Sequence, residues 1–377
     1  MNFALDDDHL ALREAVRRFC DAEYPARERG NPETMARAAH SRTALAGLGL
    51  MGLPFAEDLG GSGLGAIEVM LAAQELGCAL GGGVFVASTV LAGSLLQQLA
   101  TAAQQHTWLP ALAAGRTQAA VAVFEEGRRY EWRACSTTAI ATPQGWLLNG
   151  RKTLVLHGDS ADHLLVVART GGAPGDAAGL SVLVVDAHTP GVQVHGFDTL
   201  DGRRAAHIRF EDVAVGPDRL LGLAGAATDA VDAALDAATA ALCAEAVGAV
   251  DALLVMTADH LRTRRQFGAP LAKFQVLQHR VADMAIDLEQ LKSMACAAAM
   301  AVQGGDAAQR RRLVSAAKVL ASQKGRAIGL AAIQLHGAMG MTDECRVGHY
   351  AKRLIVIGQL LGDAAWHLRR LQTPFAH

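Results

Sequence analysis

Paired cysteines, a surplus of positive charge, uninterrupted apolar runs and aromatic side chains are all scarce in these 377 residues, and most of these scarcities exclude a class of protein. The six cysteines, Cys20, Cys78, Cys135, Cys243, Cys296 and Cys345, are scattered without C-x-x-C pairing. That pattern argues against structural zinc or a disulfide framework, and it suits a reducing, cytoplasmic setting with no metal site. Acidic residues number 37 against 35 basic ones, a net charge of −2, so the phosphate-neutralising field that nucleic acid requires is missing. The N-terminus, MNFALDDDHL, is acidic where an export signal carries a basic region before its apolar core. The apolar stretch Leu235–Met256 is interrupted by Asp236, Glu245 and Asp251, which reads as a buried helix, and no membrane span is expected. At 5% the aromatic content says nothing decisive about the shape of a pocket.

What is present is a long chain with 51% hydrophobic residues, enough for a large core and for two or three domains. Residues 1–117 read as a helical domain: Leu10, Leu12, Ala15, Val16 and Phe19 recur at steps of three and four, and Asp6 to Asp8 offer N-cap carboxylates. The glycine runs at Leu59–Gly63 and Gly81–Gly83 supply turns. Residues 118–222 change to short β runs, Ala119–Phe124, Gly145–Asn149, Lys152–Leu156, His163–Ala168, Leu180–Val185, Val192–His195 and Ala206–Phe210. Asn149-Gly150 predicts a tight hairpin between two of them, Gly171–Ala178 a loop, and the whole a small barrel or sandwich. Residues 223–377 return to helical spacing, with long segments at Ala226–Ala258, Phe274–Gly304 and Ala307–His336. Phe274, Leu277, Val281, Met284, Leu288 and Leu291 draw one buried stripe, and such lengths predict a four-helix bundle. The fold class expected is α+β, mostly helical, with the β domain in the middle.

Motifs along nearly the whole chain resemble the acyl-CoA dehydrogenase family. LAGLGLMGLPFAEDLGGSG (Leu45–Gly63), AQELGCAL (Ala73–Leu80) and GWLLNGRKTLVLHGDSADHLLVVAR (Gly145–Arg169) are similar to its N-terminal and middle-domain signatures. The most specific string is RRQFGAPLAKFQVLQHRVADM (Arg264–Met284), similar to the family's R-x-x-F-G segment and the helix after it. QLHGAMG (Gln334–Gly340) resembles the family's Q-x-x-G-G-x-G loop, with Ala338 where glycine is common.

These residue types suit a flavin nucleotide. A pyrophosphate offers negative charge and many acceptor oxygens, which a guanidinium fork and close-approaching backbone amides bind well. Arg264 supplies the first, Gly337 and Gly340 allow the second, and Gln334 can bond neutral nucleotide atoms. Each alone reads more simply as a surface charge, a helix-end polar group or a helix-ending glycine; Arg264, Gln266, Phe267, Gln275 and Gln334 carry the assignment jointly. The resemblance implies FAD as cofactor, contacted across a subunit interface by this set together with Phe274, Gly337 and Gly340.

The resemblance also implies a glutamate base that removes the α-proton of an acyl-CoA thioester while hydride leaves the β-carbon. Aligning Lys352–Asp363 on the family's R-D-A-K-I-x-x-I-Y-E-G-T places Leu361 at that glutamate. The alternative position, on the first long helix of the C-terminal domain, is Ala238, and the neighbouring family arginine is Thr239. Neither Leu361 nor Ala238 accepts a proton. Asp236, Glu245 and Asp363 are the nearby carboxylates, each read first as a helix or cap residue. The middle domain departs as well: FEEGRRYEW (Phe124–Trp132) stands where the family shows T-E-P-x-x-G-S-D, and Leu156 replaces a threonine. Base-lacking chains of this kind resemble one subunit of hetero-oligomeric acyl-CoA dehydrogenases, including those acting on steroid-derived CoA thioesters. The resemblance therefore implies an acyl-CoA substrate, a homo- or hetero-oligomer with a glutamate-bearing subunit, and an electron-transfer flavoprotein as acceptor. A non-catalytic scaffold of the same fold and an acyl-CoA oxidase are the competing readings.

Overall fold

The computed structural model describes residues 5–24, 35–176 and 178–372. Ala177 in the expected Gly171–Ala178 loop, residues 25–34 of the expected N-terminal domain and the last five residues of the chain lie outside that description. The helices are α1 (Asp7–Glu23), α2 (Met35–Gly47), α3 (Ala66–Cys78), α4 (Gly93–Leu99), α5 (Ala102–Ala113), α6 (Thr228–Thr263), α7 (Gln275–Gln303), α8 (Ala307–His336), α9 (Arg346–Gln359) and α10 (Ala364–Gln372). The strands are β1 (Ala119–Ala122), β2 (Thr138–Thr142), β3 (Gly145–Leu156), β4 (His163–Arg169), β5 (Leu180–Asp186), β6 (Val192–Asp198), β7 (Arg204–Val215), β8 (Leu220–Leu221), β9 (Arg265–Gln266) and β10 (Ala269–Pro270). Helix, sheet and helix therefore follow one another as expected. By packing, the chain forms two compact units, and residues of the expected N-terminal domain divide between them.

One unit combines Met1–Asn31, Ala66–Gly82 and Thr239–His377. Helix α1 begins on Asp6, whose carboxylate accepts the His9 N–H at 2.9 Å, an N-cap that satisfies an otherwise orphaned donor. Arg17 of α1 grips Glu75 of α3 through two hydrogen bonds, at 3.1 and 3.0 Å. Helices α3 and α6 touch backbone to backbone, since a Cβ on Gly248 would lie 1.8 Å from the Gln74 carbonyl oxygen. By length and composition α6 could cross a membrane, but 72% of its most apolar window is buried in the protein, as in a core helix. Helix α8 starts on Asp306, which accepts from the N–H groups of Ala308 and Gln309. The α7 stripe is covered only in part: Met284, Leu288 and Leu291 are buried, while Phe274, Leu277 and Val281 at its N-terminal end are half-exposed.

The other unit, Pro32–Gly65 with Gly83–Ala238, holds α2, a buried π-helical turn (Phe85–Ala92) leading into α4, α5 and the main sheet. Helix α5 opens with a capping box in which Thr101 and Gln104 exchange side-chain and backbone hydrogen bonds. The sheet has eight strands in the order β6-β7-β3-β2-β4-β5-β8, with β1 pairing parallel to β4. Ala120, Leu148, Val155, Leu164, Val166, Leu183, Phe210 and Val213 form its core.

Asn149-Gly150 does not turn the chain; β3 runs through it as a single strand with a register shift between Leu148 and Gly150 where it pairs with β7. Gly150 has φ 151, and a Cβ there would fall 2.5 Å from the Thr137 hydroxyl, so the glycine serves a bulge and a close strand crossing. The hairpin turn lies earlier, between Thr142 of β2 and Gly145 of β3.

Candidate functional site

Arg264 follows directly on α6, and its carbonyl accepts the Leu271 N–H at 2.9 Å, closing the β9–β10 hairpin. The two turn residues, Phe267 at φ 55 and Gly268 at φ 78, are both left-handed, as a two-residue hairpin of this type requires. Glycine adopts that conformation freely; phenylalanine does so at a cost, a kind of strain that clusters at binding sites. The Phe267 ring stands edge-to-face on Phe274, centroids 6.0 Å apart, yet remains 87% exposed. Phe274 is the N-cap of α7 and Gln275 its first residue. Arg264, Gln266, Phe267 and Gln275 are all exposed.

The second expected cluster lies at the far end of α8. Gln334 is exposed in the last turn, and its carbonyl accepts the Gly337 N–H. Gly337 has φ 65, and a Cβ on it would meet nothing within 4 Å, whereas a Cβ on buried Gly340 would lie 2.9 Å from the Ile333 carbonyl oxygen. Ala338 is exposed, so its methyl is accommodated. His260, one turn before Arg264, stacks on His336 with centroids 4.3 Å apart. This stack joins the two clusters within one packed unit. Burial, then His336 and Arg264, push the His260 imidazole below its ordinary pKa. No pattern of residue spacing announced this pair.

The residues present fit an anionic nucleotide. Arg264 makes no ion pair among the described residues, and a Cβ on Gly337 would meet only open space.

Of the two positions expected for the base, Ala238 is fully buried in α6, while Leu361 is 8% exposed in the turn between α9 and α10. Leu361 is left-handed at φ 56 and is followed by Gly362 at φ 117. The Leu361 N–H finds no acceptor among the described residues, a rare state for a donor in so covered a residue. The carbonyls on either side of Gly362's α-carbon are both held. His367 lies 3.2 Å from the Leu361 oxygen through Nε2, and Lys318 donates to the Gly362 oxygen at 2.6 Å. Of the nearby carboxylates, Glu245 is buried against Arg353 through bonds of 2.8 and 2.6 Å, and Asp363 accepts the Trp366 N–H at 2.7 Å as the cap of α10. Asp236 is buried and has partners of its own.

In the other unit the divergent segment Phe124–Trp132 places Glu125 in a buried cluster. Its carboxylate accepts from Lys152 at 2.8 Å, from the Thr137 hydroxyl at 2.7 Å and from Ser136. Burial pushes the Glu125 carboxyl up, but the charge and hydrogen bond of Lys152, with Ser136, outweigh this and hold it well below the carboxylate range. Leu154 and His157, flanking Leu156, are both left-handed at φ 51 and 52.

Comparison with known proteins bears on the family and the fold. The acyl-CoA dehydrogenase N-terminal domain matches residues 6–116, the middle domain residues 120–213 and the C-terminal domain residues 228–372. The probable acyl-CoA dehydrogenase YngJ of Bacillus subtilis is 30% identical over 366 residues, covering 95% of this chain and 96% of its own. Butyryl-CoA dehydrogenase from Megasphaera elsdenii superposes with a TM-score of 0.90 at 24% identity, over 99% of each chain. A variant of the Tcur3481-Tcur3483 steroid ACAD superposes with a TM-score of 0.83 at 28% identity, over 97% of each chain. With three consecutive domains matched and a relative alike over nearly its full length, the chain belongs to the acyl-CoA dehydrogenase family.

Proposed function

We propose that this chain is an FAD-binding subunit for the α,β-desaturation of an acyl-CoA thioester, and that it takes its general base from a glutamate-bearing partner. The observation that carries the proposal is the combination of a stapled Arg264–Gln334 surface with a proton-inert residue at 361. Arg264, Gln266, Phe267, Phe274, Gln275, Gln334, Gly337 and Gly340 would hold the nucleotide, the arginine on the pyrophosphate and Gln334 on neutral nucleotide atoms. FAD, when bound, supplies the hydride acceptor. The chain's own residues then bind, orient and polarise. The unclaimed Leu361 N–H is suited to a thioester carbonyl oxygen, where charge develops as the α-proton leaves, in the manner of an oxyanion donor. Proton removal falls to the partner, because Leu361 and Ala238 carry no acceptor and Glu245 is bound up with Arg353.

The likeness to the steroid ACAD supports a steroid-derived acyl group and a heteromeric assembly. The exposed apolar residues Val255, Val276, Ile286, Met339 and Met341 in the helical unit need cover, which supports an oligomer. The three-domain division at residues 117/118 and 222/223 and an electron-transfer flavoprotein as acceptor belong to the same reading. Purification from the native host tests it: a yellow complex containing a second, glutamate-bearing paralogue is expected, and a colourless homo-oligomer would favour the scaffold reading.

A further inference from the structure

The turn at Leu361 is held by a buried polar cluster that the flavin surface does not use. Lys318, in the middle of α8, is fully buried, and its ammonium donates to the Gly362 oxygen at 2.6 Å. His367 of α10 lies 3.2 Å from the Leu361 oxygen through Nε2 and 3.2 Å from the Ser315 hydroxyl through Nδ1. A carbonyl only accepts, so Nε2 carries the proton and Nδ1 accepts from Ser315. Arg370 donates to that same hydroxyl oxygen at 3.4 Å, which completes the proton accounting. Upstream, Leu360 N–H is bonded to the Val356 carbonyl at 3.0 Å. A Cβ on Gly362 would lie 2.5 Å from His367 Nε2, so the imidazole sits directly on the turn.

These bonds matter because the conformation they impose is not one leucine prefers. A left-handed non-glycine residue persists only where its surroundings over-determine it. The peptide that carries the Leu361 N–H lies between the anchored Leu360 amide and the two anchored carbonyls. Release of the carbonyls would let Leu361 relax towards negative φ and swing the N–H away.

We propose that Lys318 is a positioning residue for the thioester carbonyl, its ammonium fixing the Leu361–Gly362 turn so that the Leu361 N–H is presented to the substrate. This rests on the acyl-CoA reading above. Burying an ammonium solely to satisfy one carbonyl is costly, and a methionine would fill the same space without that cost, so the charge is retained for more than packing. The groups facing Lys318 are Cys243 from α6, Asp363 from the turn and His367 from α10, which in turn faces Arg370. Burial lowers Lys318 to about 8, raises Cys243 to about 12 and, together with Lys318 and Arg370, lowers His367 to about 3. Over roughly pH 6.5–9, Lys318 changes charge while Cys243 and His367 do not.

The test compares wild type with Lys318→Met in the FAD-loaded chain, using hexanoyl-CoA and the S-hexyl-CoA thioether, which lacks the carbonyl. Calorimetry is expected to give up to about a tenfold loss of thioester affinity in the variant, the upper scale of one neutral hydrogen bond, with thioether affinity unchanged. The wild-type preference for thioester over thioether should fade above about pH 8, while the variant is flat. Hydrogen-exchange protection at residues 360–363, taken relative to the intrinsic base-catalysed rate at each pH, should fall in the variant and in wild type at high pH. An intact thioester preference in Lys318→Met, or unchanged exchange at 360–363, overturns the proposal. If neither hexanoyl-CoA nor a steroid-derived CoA thioester binds wild type, the acyl-CoA reading itself fails, and the exchange measurement still decides whether Lys318 holds the turn. If the variant does not fold, the wild-type pH profile decides alone: a preference constant through pH 8 overturns the assignment.

Discussion

His260 and His336 stack 4.3 Å apart, and through this contact the Arg264 hairpin at the end of α6 is fixed beside the Gln334–Gly340 loop at the end of α8. Two sequence motifs separated along the chain thereby become one surface, with a guanidinium that makes no ion pair among the described residues. Arg264→Ala is expected to weaken FAD binding by about 1.5–3 kcal/mol, the range for a hydrogen bond to a charged group. Fluorescence titration of the apoprotein measures it, and unchanged FAD retention in the variant would remove Arg264 from the site.

Acid should destabilise the chain in two stages. His367 is held down to about 3 by burial, Lys318 and Arg370, so the unfolded chain takes up a proton first, and stability falls as pH drops from about 6.5 towards 3. Glu125 is held below its ordinary 4.5, so its contribution is complete above that value and is lost below it. Melting temperature against pH for wild type and His367→Gln separates the two: the variant should lose the upper slope and keep the lower.

The Glu125–Lys152 pair is buried, at 2.8 Å, and should respond asymmetrically to substitution. Breaking it with Lys152→Met leaves a lone buried carboxylate and is expected to cost about 3–5 kcal/mol, while the double replacement Glu125→Gln with Lys152→Met should cost far less. Urea unfolding of the three proteins reports both values. Equal losses in single and double variants would mean that the charges are not coupled.

Features encoded locally were legible in the sequence, and contacts between distant segments were not. Helix α8 begins and ends where its Ala-rich spacing placed it, Ala307 to His336, because that signal is written within the helix. The Asn149-Gly150 hairpin failed because the same dipeptide serves a bulge when Thr137 of a neighbouring segment crosses at close range. The Arg264 and Gln334 motifs were legible as strings, but the His260–His336 contact between them was not. Lys318 and the Gly362 carbonyl lie 44 residues apart, and a lysine in an alanine-rich helix gives no sign that it is buried. Glu125 and Lys152 were hidden in the same way, by a contact across 27 residues.

The half-exposed N-terminal stripe of α7 and the exposed Val276 and Ile286 call for a second chain. Wild type is expected to scatter light as a dimer or a dimer of dimers. Replacing both Val276 and Ile286 by glutamate should shift it towards monomer and, because the nucleotide surface is shared between chains in the proposed assembly, release FAD. A flavin-loaded wild-type monomer would contradict this.

In the proposed assembly this chain binds flavin and substrate but carries no base at 361 or 238. Anaerobic mixing of the purified, FAD-loaded chain with a panel of acyl-CoA thioesters, following the oxidised-flavin absorbance with an electron acceptor present, tests it most directly. The chain alone should bleach at least about 10²-fold more slowly than the complex with its glutamate-bearing partner, the usual cost of a missing general base. Rapid, repeated bleaching by the isolated chain would contradict the account and direct the search for a base to Asp236, Glu245 and Asp363.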